Sequence, residues 1–404
     1  MTDYATSSES TSGSTHIRQG LMPTPFFARL DPLSRAKSWG NWAGFYSATR
    51  FEFVEKEYFA VRNSATLFDL SPMCKYHIHG PDAERVLNRL VTRNVQKLKP
   101  GRVGYTMWCD EEGMVIDDGT IFRHGDNEFW LLCQEHMLGW LHDTAWGFDV
   151  SIKDESKGVC GLSLQGPTSF SVLKDAGLGA LSDMKPFYLR EAEPGLWVSR
   201  TGYTGDLGYE LFVRAENALA LWDRLWEAGK LWGLTPMGSV ALDLVRLEAG
   251  FLAPGKDFQP VQLVERLGRG RTPFELGFGK LVHFNKGHFN GRRALLAHKE
   301  KGPRTRLIKL DIEGRTPAQN AYVYAGRSKK VGFITSAAWS PTAKRNIALA
   351  EVDGAYSGEN ADGLWVEIDL YREGKWLRRQ AKATIVDGAF LQIPRARTTP
   401  PGPF

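Results

Sequence analysis

The chain has 404 residues, of which 42% are hydrophobic and 24% charged, and its formal net charge is +5. That length is too great for one compact core and predicts two or three domains, while the composition is that of an ordinary soluble globular protein. The weak positive charge suits an anionic small molecule, so we predict no nucleic-acid partner. No apolar run is long enough to cross a bilayer, so we predict no membrane-spanning helix and no membrane partner.

The cysteines and histidines follow no metal-binding pattern. Neither Cys74, Cys109, Cys133 and Cys160 nor the nine histidines have the spacing of a zinc site, so we predict no metal. Because disulfides are rare in reducing compartments, four scattered cysteines predict reduced, mostly buried thiols in a cytoplasmic protein.

The first part of the chain combines a polar start with aromatic-rich residues. Residues 1–20 are rich in Ser and Thr and are predicted to form a disordered tail. Residues 21–75 contain many aromatic side chains, helical spacing from Phe53 to Arg62 and a short apolar strand from Ala65 to Leu70.

Residues 76–159 predict a compact set of strands and helices. Tyr76–Gly80 alternates, and a helix begins near Pro81. Two strands joined by an acidic glycine turn predict a hairpin from Gly104 to Phe122. A further strand ends at Cys133 and a helix follows it.

The pattern repeats from residue 160 to residue 264. A strand at Leu162–Gln165 precedes a helix, and an alternating run at Leu196–Ser199 leads into a glycine-rich segment. Helices are predicted at Glu216–Lys230 and Val240–Ala249. Strand and helix units on both sides of residue 160 predict two α+β domains of similar build.

The last third of the chain changes character. Residues 265–304 are predicted to form a linker, which begins with a basic loop, and a helix. Short strands separated by turns extend from residue 305 to residue 394 and predict a small β-barrel as a separate C-terminal domain. Residues 395–404 are rich in proline and are predicted to form a tail.

The segment 202–211, with the sequence GYTGDLGYEL, is one candidate for chemistry. Glycines at this density allow positive φ and a close approach of the main chain to a ligand. Tyr203 and Glu210 could then present a ring and a carboxylate. By itself, however, the pattern favours an ordinary hairpin with glycine turns and edge aromatics.

The second candidate is a pair of acids, Asp117 and Asp118, within an apolar strand. Alternation places one of them on the buried side of the strand. A buried carboxylate is costly without a partner, which makes one of the pair a functional candidate. An aspartate that caps a turn beside a solvated one is the alternative. Tyr105, on the partner strand, could stand near the carboxylate.

Several segments in order resemble the glycine-cleavage T-protein family. Residues 104–118 are similar to its segment from a tyrosine to a double aspartate. Residues 199–211, SRTGYTGDLGYEL, match its pattern S-R-T-G-Y-T-G-x-x-G-[FY]-E-L. The segments LQGP, RLEA, SPT and IALA, beginning at residues 164, 246, 340 and 347, also fit. The similarity is in register from about Thr24 to Ile393.

This resemblance implies a one-carbon transferase that uses tetrahydrofolate. The implied fold is α+β, with three domains in a cloverleaf around a central folate channel: two ferredoxin-like α+β domains and a C-terminal small β-barrel. The first domain would be split into residues 21–75 and 160–264, with the second domain, residues 76–159, inserted between them.

The resemblance also implies roles for individual residues. Asp118 corresponds to the catalytic aspartate, and Tyr105, Tyr203 and Glu210 correspond to folate contacts. A pterin is a flat ring with a donor-rich edge, which suits aromatic walls and a carboxylate that accepts two hydrogen bonds. A carboxylate near the donor can stabilise cationic charge or relay a proton to the leaving group.

The chain departs from the family pattern at three places. Pro72 replaces a histidine in D-x-S-H-M, Leu242 replaces an arginine, and Gln134 lies in CQEH where the family has NAAN. We expect these positions near the donor side and the folate tail, so the sequence favours a demethylase that moves a methyl group from an O-, N- or S-methylated small molecule to tetrahydrofolate. Tyr46, Trp108 and Gln134 are candidate walls of its donor pocket. Ordinary core aromatics and a surface amide are the alternative interpretation of these three residues.

Two alternatives stay open. One is an aminomethyltransferase that acts on the lipoyl arm of a carrier protein, against which the replaced histidine and arginine count. The other is a non-catalytic folate-binding protein that assists the assembly of another enzyme. The lack of a cysteine in residues 252–257 and the presence of Asp118 count against that possibility.

Overall fold

The computed structural model describes residues 20–265, 268–358 and 363–398. Most of the residues predicted as an N-terminal tail, 1–19, therefore lie outside the described residues. The described chain begins with a short helix and a two-stranded hairpin, which the sequence reasoning missed, and continues into a helix and a buried strand. These elements are α1 Phe27–Leu33, β1 Ser38–Trp42, β2 Phe45–Arg50, α2 Val54–Asn63 and β3 Ala65–Asp69.

The next elements form a five-stranded sheet in the spatial order β5-β6-β7-β4-β8. Its last strand was not predicted. The elements are β4 Cys74–His79, α3 Ala83–Leu90, β5 Arg102–Cys109, β6 Val115–Arg123, β7 Glu128–Cys133, α4 Leu138–Thr144 and β8 Ser151–Asp154. One face of the sheet is an apolar core under α3 and α4, built from residues such as Ile78, Leu87 and Leu141.

The chain then returns to complete a six-stranded sheet in the order β10-β11-β12-β9-β3-β13. Its elements are β9 Val159–Gln165, α5 Ser169–Leu173, β10 Leu189–Glu193, β11 Leu196–Ser199, β12 Gly208–Arg214, α6 Ala218–Gly229, β13 Leu234–Pro236 and α7 Ser239–Ala249. Every residue of β9 is buried, because this strand lies between β12 and β3. On α6, Ala218, Leu221, Trp222 and Leu225 form one buried stripe, as the helical period requires.

A closed barrel of six strands ends the fold, in the order β14-β17-β16-β15-β18-β19. Its elements and the preceding helix are α8 Arg292–Lys301, β14 Thr305–Ile312, β15 Tyr322–Ala325, β16 Lys329–Ser340, β17 Arg345–Asp353, β18 Leu364–Arg372 and β19 Lys375–Ile385. Two sheets of mixed α+β build and one closed barrel confirm the predicted fold class.

We propose the expected limits at about residues 75 and 160 as the domain boundaries. Sheet membership supports them, because β4 begins at Cys74 and β9 at Val159. The predicted C-terminal tail begins with a residue that is held in place. Arg395 donates to both carboxylate oxygens of Asp206, at 2.6 and 2.9 Å. Residues 399–404 lie outside the described residues.

The three units meet along the β5–β6 hairpin. Phe122 of β6 packs in one apolar cluster with Phe212 of the six-stranded sheet. On β5, Met107 belongs to another cluster that contains Leu247 of α7 and Ile347 of β17. The hairpin is therefore wedged between the six-stranded sheet, α7 and the barrel. No helix within the described residues is both long and apolar enough to span a bilayer.

Candidate active site

The β5–β6 hairpin brings Tyr105 and Asp118 together. Met107 lies opposite Asp118 and Tyr105 lies opposite Thr120, so Tyr105 and Asp118 are diagonal neighbours on one face of the sheet. The Tyr105 hydroxyl donates a hydrogen bond to Asp118 Oδ2 at 2.6 Å. Both side chains are half-buried. The register of the hairpin thus creates a carboxylate–phenol pair.

Burial makes Asp118 a carboxyl group that can exchange a proton near neutral pH. Desolvation raises its pKa to about 6, against the opposing hydrogen bond from Tyr105. The pKa of Tyr105 is raised by burial and by the Asp118 charge. The phenol therefore stays protonated and remains a hydrogen-bond donor, while the carboxyl can accept or release a proton.

Asp117, the neighbouring acid, is the one that faces the core. Its side chain is fully buried and accepts the backbone N–H of Asp118 at 2.8 Å and that of Glu135 at 3.1 Å. Burial and the nearby Asp118 raise its pKa well above the ordinary value. The fully buried acid of the pair therefore holds the turn after β7 in place, and the candidate for chemistry is the half-buried Asp118.

The glycines of segment 202–211 serve packing more than ligand approach. A Cβ on Gly202 or Gly208 would lie 2.1 Å from Gln165 Oε1, so both glycines make room for the Gln165 side chain. That amide accepts from Thr204 Oγ1 at 3.0 Å and donates to the Thr201 carbonyl at 3.2 Å. Of the three glycines, only Gly205 has positive φ, at +69°. Packing against Gln165 therefore explains Gly202 and Gly208, in place of the expected close approach of the main chain to a ligand.

Glu210 is a carboxylate without a cationic partner. It lies on β12 between Ser199 of β11 and Ser163 of β9. Its hydrogen-bond donors are the hydroxyls of Thr201 and Ser199, and no ion pair joins it to a cation among the described residues. Burial raises its pKa. A recessed carboxylate with only small hydroxyl donors requires further hydrogen bonds, which a donor-rich ligand edge would supply.

Tyr203 supplies an aromatic wall, with partners that the sequence reasoning missed. Its ring stacks on Phe251 with centroids 5.8 Å apart and planes at 21°, and its hydroxyl donates to the Leu252 carbonyl. The Tyr105 ring packs against Phe278 at 5.6 Å. The pKa of Tyr203 is raised mainly by burial, and the nearby Asp118 charge raises it further.

No local sequence pattern identifies Phe251 and Phe278. Phe251 follows the last helical turn of α7, and Phe278 lies in an irregular segment, so neither belongs to an alternating strand or a helical stripe. They reach Tyr203 and Tyr105 through the tertiary structure alone. The only available signal is that Phe251 lies two residues after the end of the RLEA segment.

The three candidates for a donor pocket are not brought together. Trp108 is fully buried in the core under α3 and α4, on the opposite face of β5 from Tyr105. Tyr46 packs against Phe27 in the β1–β2 region, with ring centroids 5.4 Å apart. Trp108 lies opposite Asp117 in the hairpin, on the core face, and Gln134 precedes Glu135, which donates its N–H to Asp117.

Helix α7 fixes the side of the site that carries Phe251 and Leu252. Arg246 is fully buried, forms an ion pair with Asp257 and donates to Ser336 Oγ of the barrel at 2.8 Å. Arg246 Nη1 also donates to the Phe251 carbonyl at 2.9 Å. These bonds explain the buried arginine of RLEA and hold the residues after α7 against the barrel.

Glu248 of the same helix ties the barrel to α2. It accepts from Tyr58 at 2.6 Å, Arg62 at 2.6 Å and Ser340 of β16 at 2.5 Å. Because Tyr58 and Arg62 belong to α2 and Ser340 belongs to β16, this buried cluster holds both α2 and the barrel against α7. A buried charge with this many partners is well satisfied.

The residues around Asp118 fit tetrahydrofolate. Aromatic rings of Tyr105, Tyr203 and Phe251 offer flat walls, and Glu210 offers an acceptor that no cation of the described protein neutralises. Two α+β units and a barrel, with the hydrogen-bonded Tyr105–Asp118 pair on the hairpin where they meet, indicate a folate-dependent one-carbon transferase as the class of protein.

Comparisons with known proteins give the family. Residues 30–286 match the model of the GCVT N-terminal domain, and residues 305–391 match the glycine cleavage T-protein C-terminal barrel domain. The chain belongs to the glycine cleavage T-protein family. It is an enzyme, a one-carbon transferase that uses tetrahydrofolate.

Similar proteins of known name support this placement. Aminomethyltransferase of Caldanaerobacter subterraneus subsp. tengcongensis is 35% identical over 87% of this chain and 91% of that protein. Aminomethyltransferase of Streptomyces coelicolor is 36% identical over 81% of this chain and 89% of that protein. The crystal structure of glycine cleavage system aminomethyltransferase T from Bartonella henselae matches with a TM-score of 0.80 at 26% identity, over 92% of this chain and 99% of that chain.

These relatives correct the demethylase prediction. Proteins 32–36% identical over most of the chain bear the name aminomethyltransferase, so the inference of a methylated small-molecule donor was wrong. The prediction gave too much weight to two single-residue departures, at Pro72 and Leu242, and to one four-residue segment, CQEH at 133–136. Leu242, for example, packs against an apolar cluster with Val245 and Met237, which makes its exchange for arginine a change in packing.

Proposed function

We propose that the protein is a glycine-cleavage-type aminomethyltransferase. It would transfer the one-carbon unit of an aminomethyl group, carried on the lipoyl arm of a carrier protein, to tetrahydrofolate. The observation that carries the proposal is the Tyr105–Asp118 pair on one face of a hairpin, within a site that also contains Tyr203. The named relatives support the aminomethyl donor.

Glu210 and Tyr203 would bind the pterin end of the folate. Glu210 would accept hydrogen bonds from the ring edge, and charge-assisted bonds of this kind are the stronger ones. Tyr203 and Phe251 stack on each other, so their shared surface can hold a flat ring in one orientation. When bound, tetrahydrofolate supplies the amine that accepts the one-carbon unit.

Asp118 would stabilise positive charge on the donor and transfer a proton during the reaction. A carboxyl with a pKa of about 6 is mostly ionised at neutral pH and can stabilise cationic charge on the donor carbon. It can also take up a proton and pass it to the leaving nitrogen. Tyr105 would position Asp118 Oδ2 through its 2.6 Å hydrogen bond. The rigid hairpin thereby holds the carboxylate in line with the reactants.

The test is reconstitution with the carrier protein. Lipoylated carrier charged with the aminomethyl group is mixed with tetrahydrofolate and this protein, and ammonia release is followed together with methylene-tetrahydrofolate. We expect turnover that depends on all three components. Release of ammonia at the uncatalysed rate with a protein that binds folate normally would refute the proposal. Unlipoylated carrier is the control.

We also propose a cytoplasmic location. The four cysteines are buried and unpaired, which supports a reducing compartment. Cell fractionation with activity measurement tests this, and recovery of the protein outside the cytoplasmic fraction would contradict it.

A further inference from the structure

Two thiols lie directly opposite each other where β4 begins and β7 ends. Cys74 is paired with Cys133 in the antiparallel register, so both side chains lie on the same face of the five-stranded sheet. Residues opposite each other in such a ladder have Cα atoms about 4.5–5.5 Å apart, and a disulfide needs a Cα separation of about 4.4–6.8 Å. The two cysteines, which are unpaired in this structure, can therefore form a disulfide with little movement of the backbone.

The surroundings make Cys74 the more reactive of the two thiols. The pKa of Cys74 is lowered, mainly by a hydrogen bond from the Cys133 thiol and against the effect of burial. The pKa of Cys133 is raised well above its ordinary value, first by burial and then by Cys74. Since the thiolate is the nucleophilic form of cysteine, Cys74 is the thiol that reacts first with an oxidant.

An exposed histidine covers the Cys74 sulfur. Cys74 itself is buried, but its Sγ lies 3.4 Å from Nδ1 of His136, whose side chain is exposed. The sulfur therefore lies directly beneath the surface, and rotation of one exposed side chain gives a small oxidant access to it. The imidazole is also close enough to take up the proton of the thiol.

Hydrogen bonds connect this pair of thiols to the acids of the β5–β6 hairpin. The Cys133 thiol donates to the Glu135 carbonyl at 3.3 Å, and the N–H of Glu135 donates to Asp117 Oδ2 at 3.1 Å. The other oxygen of Asp117 accepts the N–H of Asp118 at 2.8 Å. A disulfide removes the thiol hydrogen of Cys133 and with it the first of these bonds. Oxidation would thus weaken the support of the strand that carries Asp118.

We propose that Cys74 and Cys133 are a modification site, at which hydrogen peroxide forms a disulfide that loosens the support of Asp117 and Asp118. The effect on activity rests on the proposed function, whereas formation of the disulfide does not. A reversible disulfide of this kind is compatible with a cytoplasmic protein, because disulfides there are usually transient and redox-sensing.

The oxidation takes two steps. The Cys74 sulfur attacks one oxygen of hydrogen peroxide, the O–O bond breaks, and the second oxygen leaves as water with the thiol proton. The resulting sulfenic acid is then attacked by the Cys133 sulfur, and its hydroxyl leaves as water with the Cys133 proton. Two electrons pass from the sulfurs to the peroxide, and a dithiol reductant returns them.

The first measurement detects the disulfide without turnover. The reduced protein is treated with hydrogen peroxide, the remaining thiols are alkylated after unfolding, and the peptides are mapped by mass spectrometry. We expect one linked pair of peptides, which contains Cys74 and Cys133, and recovery of both thiols with dithiothreitol. Backbone hydrogen exchange at Glu135 should be faster in the oxidised protein, because its contact with the Cys133 thiol is lost.

The second measurement compares transfer activity and folate binding before and after oxidation. We expect kcat for aminomethyl transfer to fall by about 10- to 100-fold, because a small displacement of a catalytic group has effects of this size. Dithiothreitol should restore it. The affinity for the stable analogue 5-formyl-tetrahydrofolate should be unchanged, because Glu210 and Tyr203 belong to the other α+β unit.

Variants assign the effect to the two thiols. Cys133→Ser keeps a hydroxyl that can donate to the Glu135 carbonyl, so this variant should be active and insensitive to peroxide. Cys74→Ala should be equally insensitive. The matched control is Cys109→Ala, which removes a buried thiol from a different apolar cluster and should still form the disulfide as the wild type does.

Two results would overturn the inference. One is a wild-type protein in which Cys74 and Cys133 both remain alkylatable after a peroxide treatment that fully oxidises a cysteine-containing peptide. The other is a Cys74–Cys133 disulfide that changes neither hydrogen exchange at Glu135 nor kcat. Failure of the proposed aminomethyl transfer is a separate result, because the disulfide and the exchange rate are measured without a donor.

Discussion

Replacement of Asp118 by asparagine should remove activity and, at neutral pH, make the fold more stable. Burial moves the pKa of Asp118 from 3.8 to about 6, so the ionised form is disfavoured in the folded protein. A change of this size corresponds to roughly 3 kcal/mol. Partial exposure of the side chain screens the charge, so we expect about 1–2 kcal/mol.

The pH dependence of the stability difference follows from the linkage between proton binding and folding. A raised folded-state pKa means that the folded protein holds the proton more tightly between pH 3.8 and about 6. The free energy of unfolding of the wild type therefore falls as the pH rises through this window. Asp118→Asn has no charge to bury, so its stability advantage should be full at pH 8 and vanish below about pH 4.

The activity of Asp118→Asn should fall, whereas its stability at neutral pH should rise. Loss of a group that transfers a proton and stabilises charge should lower kcat by about 100- to 10,000-fold. Folate affinity should stay within about tenfold, roughly 1.4 kcal/mol. For the wild type, kcat should fall as the pH drops through about 6, because the ionised carboxylate is the active form.

The assays are urea unfolding at pH 4 and pH 8 and aminomethyl transfer over the same range. Asp126→Asn is the matched control, because Asp126 is exposed in the turn after β6. An Asp118→Asn protein with wild-type kcat would remove Asp118 from the mechanism. A variant that is less stable than the wild type at pH 8 would refute the burial cost assigned to this carboxylate.

Three further substitutions test other parts of the site. Glu210→Gln should weaken binding of 5-formyl-tetrahydrofolate about 10- to 100-fold, since hydrogen bonds to a charged acceptor contribute roughly 1.5–3 kcal/mol. Calorimetry measures this affinity, with the exposed Glu216→Gln as the control. Unchanged affinity would contradict the role of Glu210 in binding the pterin. Gly208→Ala places a Cβ 2.1 Å from Gln165 Oε1 and should lower the free energy of unfolding in urea by about 1–3 kcal/mol. The control is Gly195→Ala, where a Cβ meets no atom within 4 Å. This control lacks the clash, although the φ of +77° at Gly195 adds some backbone strain. Trp108→Ala should lower the free energy of unfolding by about 3–5 kcal/mol. A variant of unchanged stability with a raised KM for the aminomethyl donor would instead indicate that Trp108 lines the donor pocket.

The strand pattern of the sequence determined the acid-bearing hairpin. Alternation within residues 102–123 predicts which side chains share a face, so the link between Tyr105 and Asp118 could be anticipated before the structure. The regular turns after residue 305 likewise predicted the barrel. These features are local, because each depends on side-chain spacing along one or two neighbouring strands.

Other features depended on residues far apart in the chain. The sequence could not tell that Gly202 and Gly208 make room for Gln165, a residue about forty positions earlier, or that Phe251 and Phe278 complete the aromatic walls. The donor was also misjudged, because Leu242 was read as a change in the site and lies in a packed cluster. Spacing along the chain sets which face a side chain takes, but the partner on that face is set by the packing of whole elements.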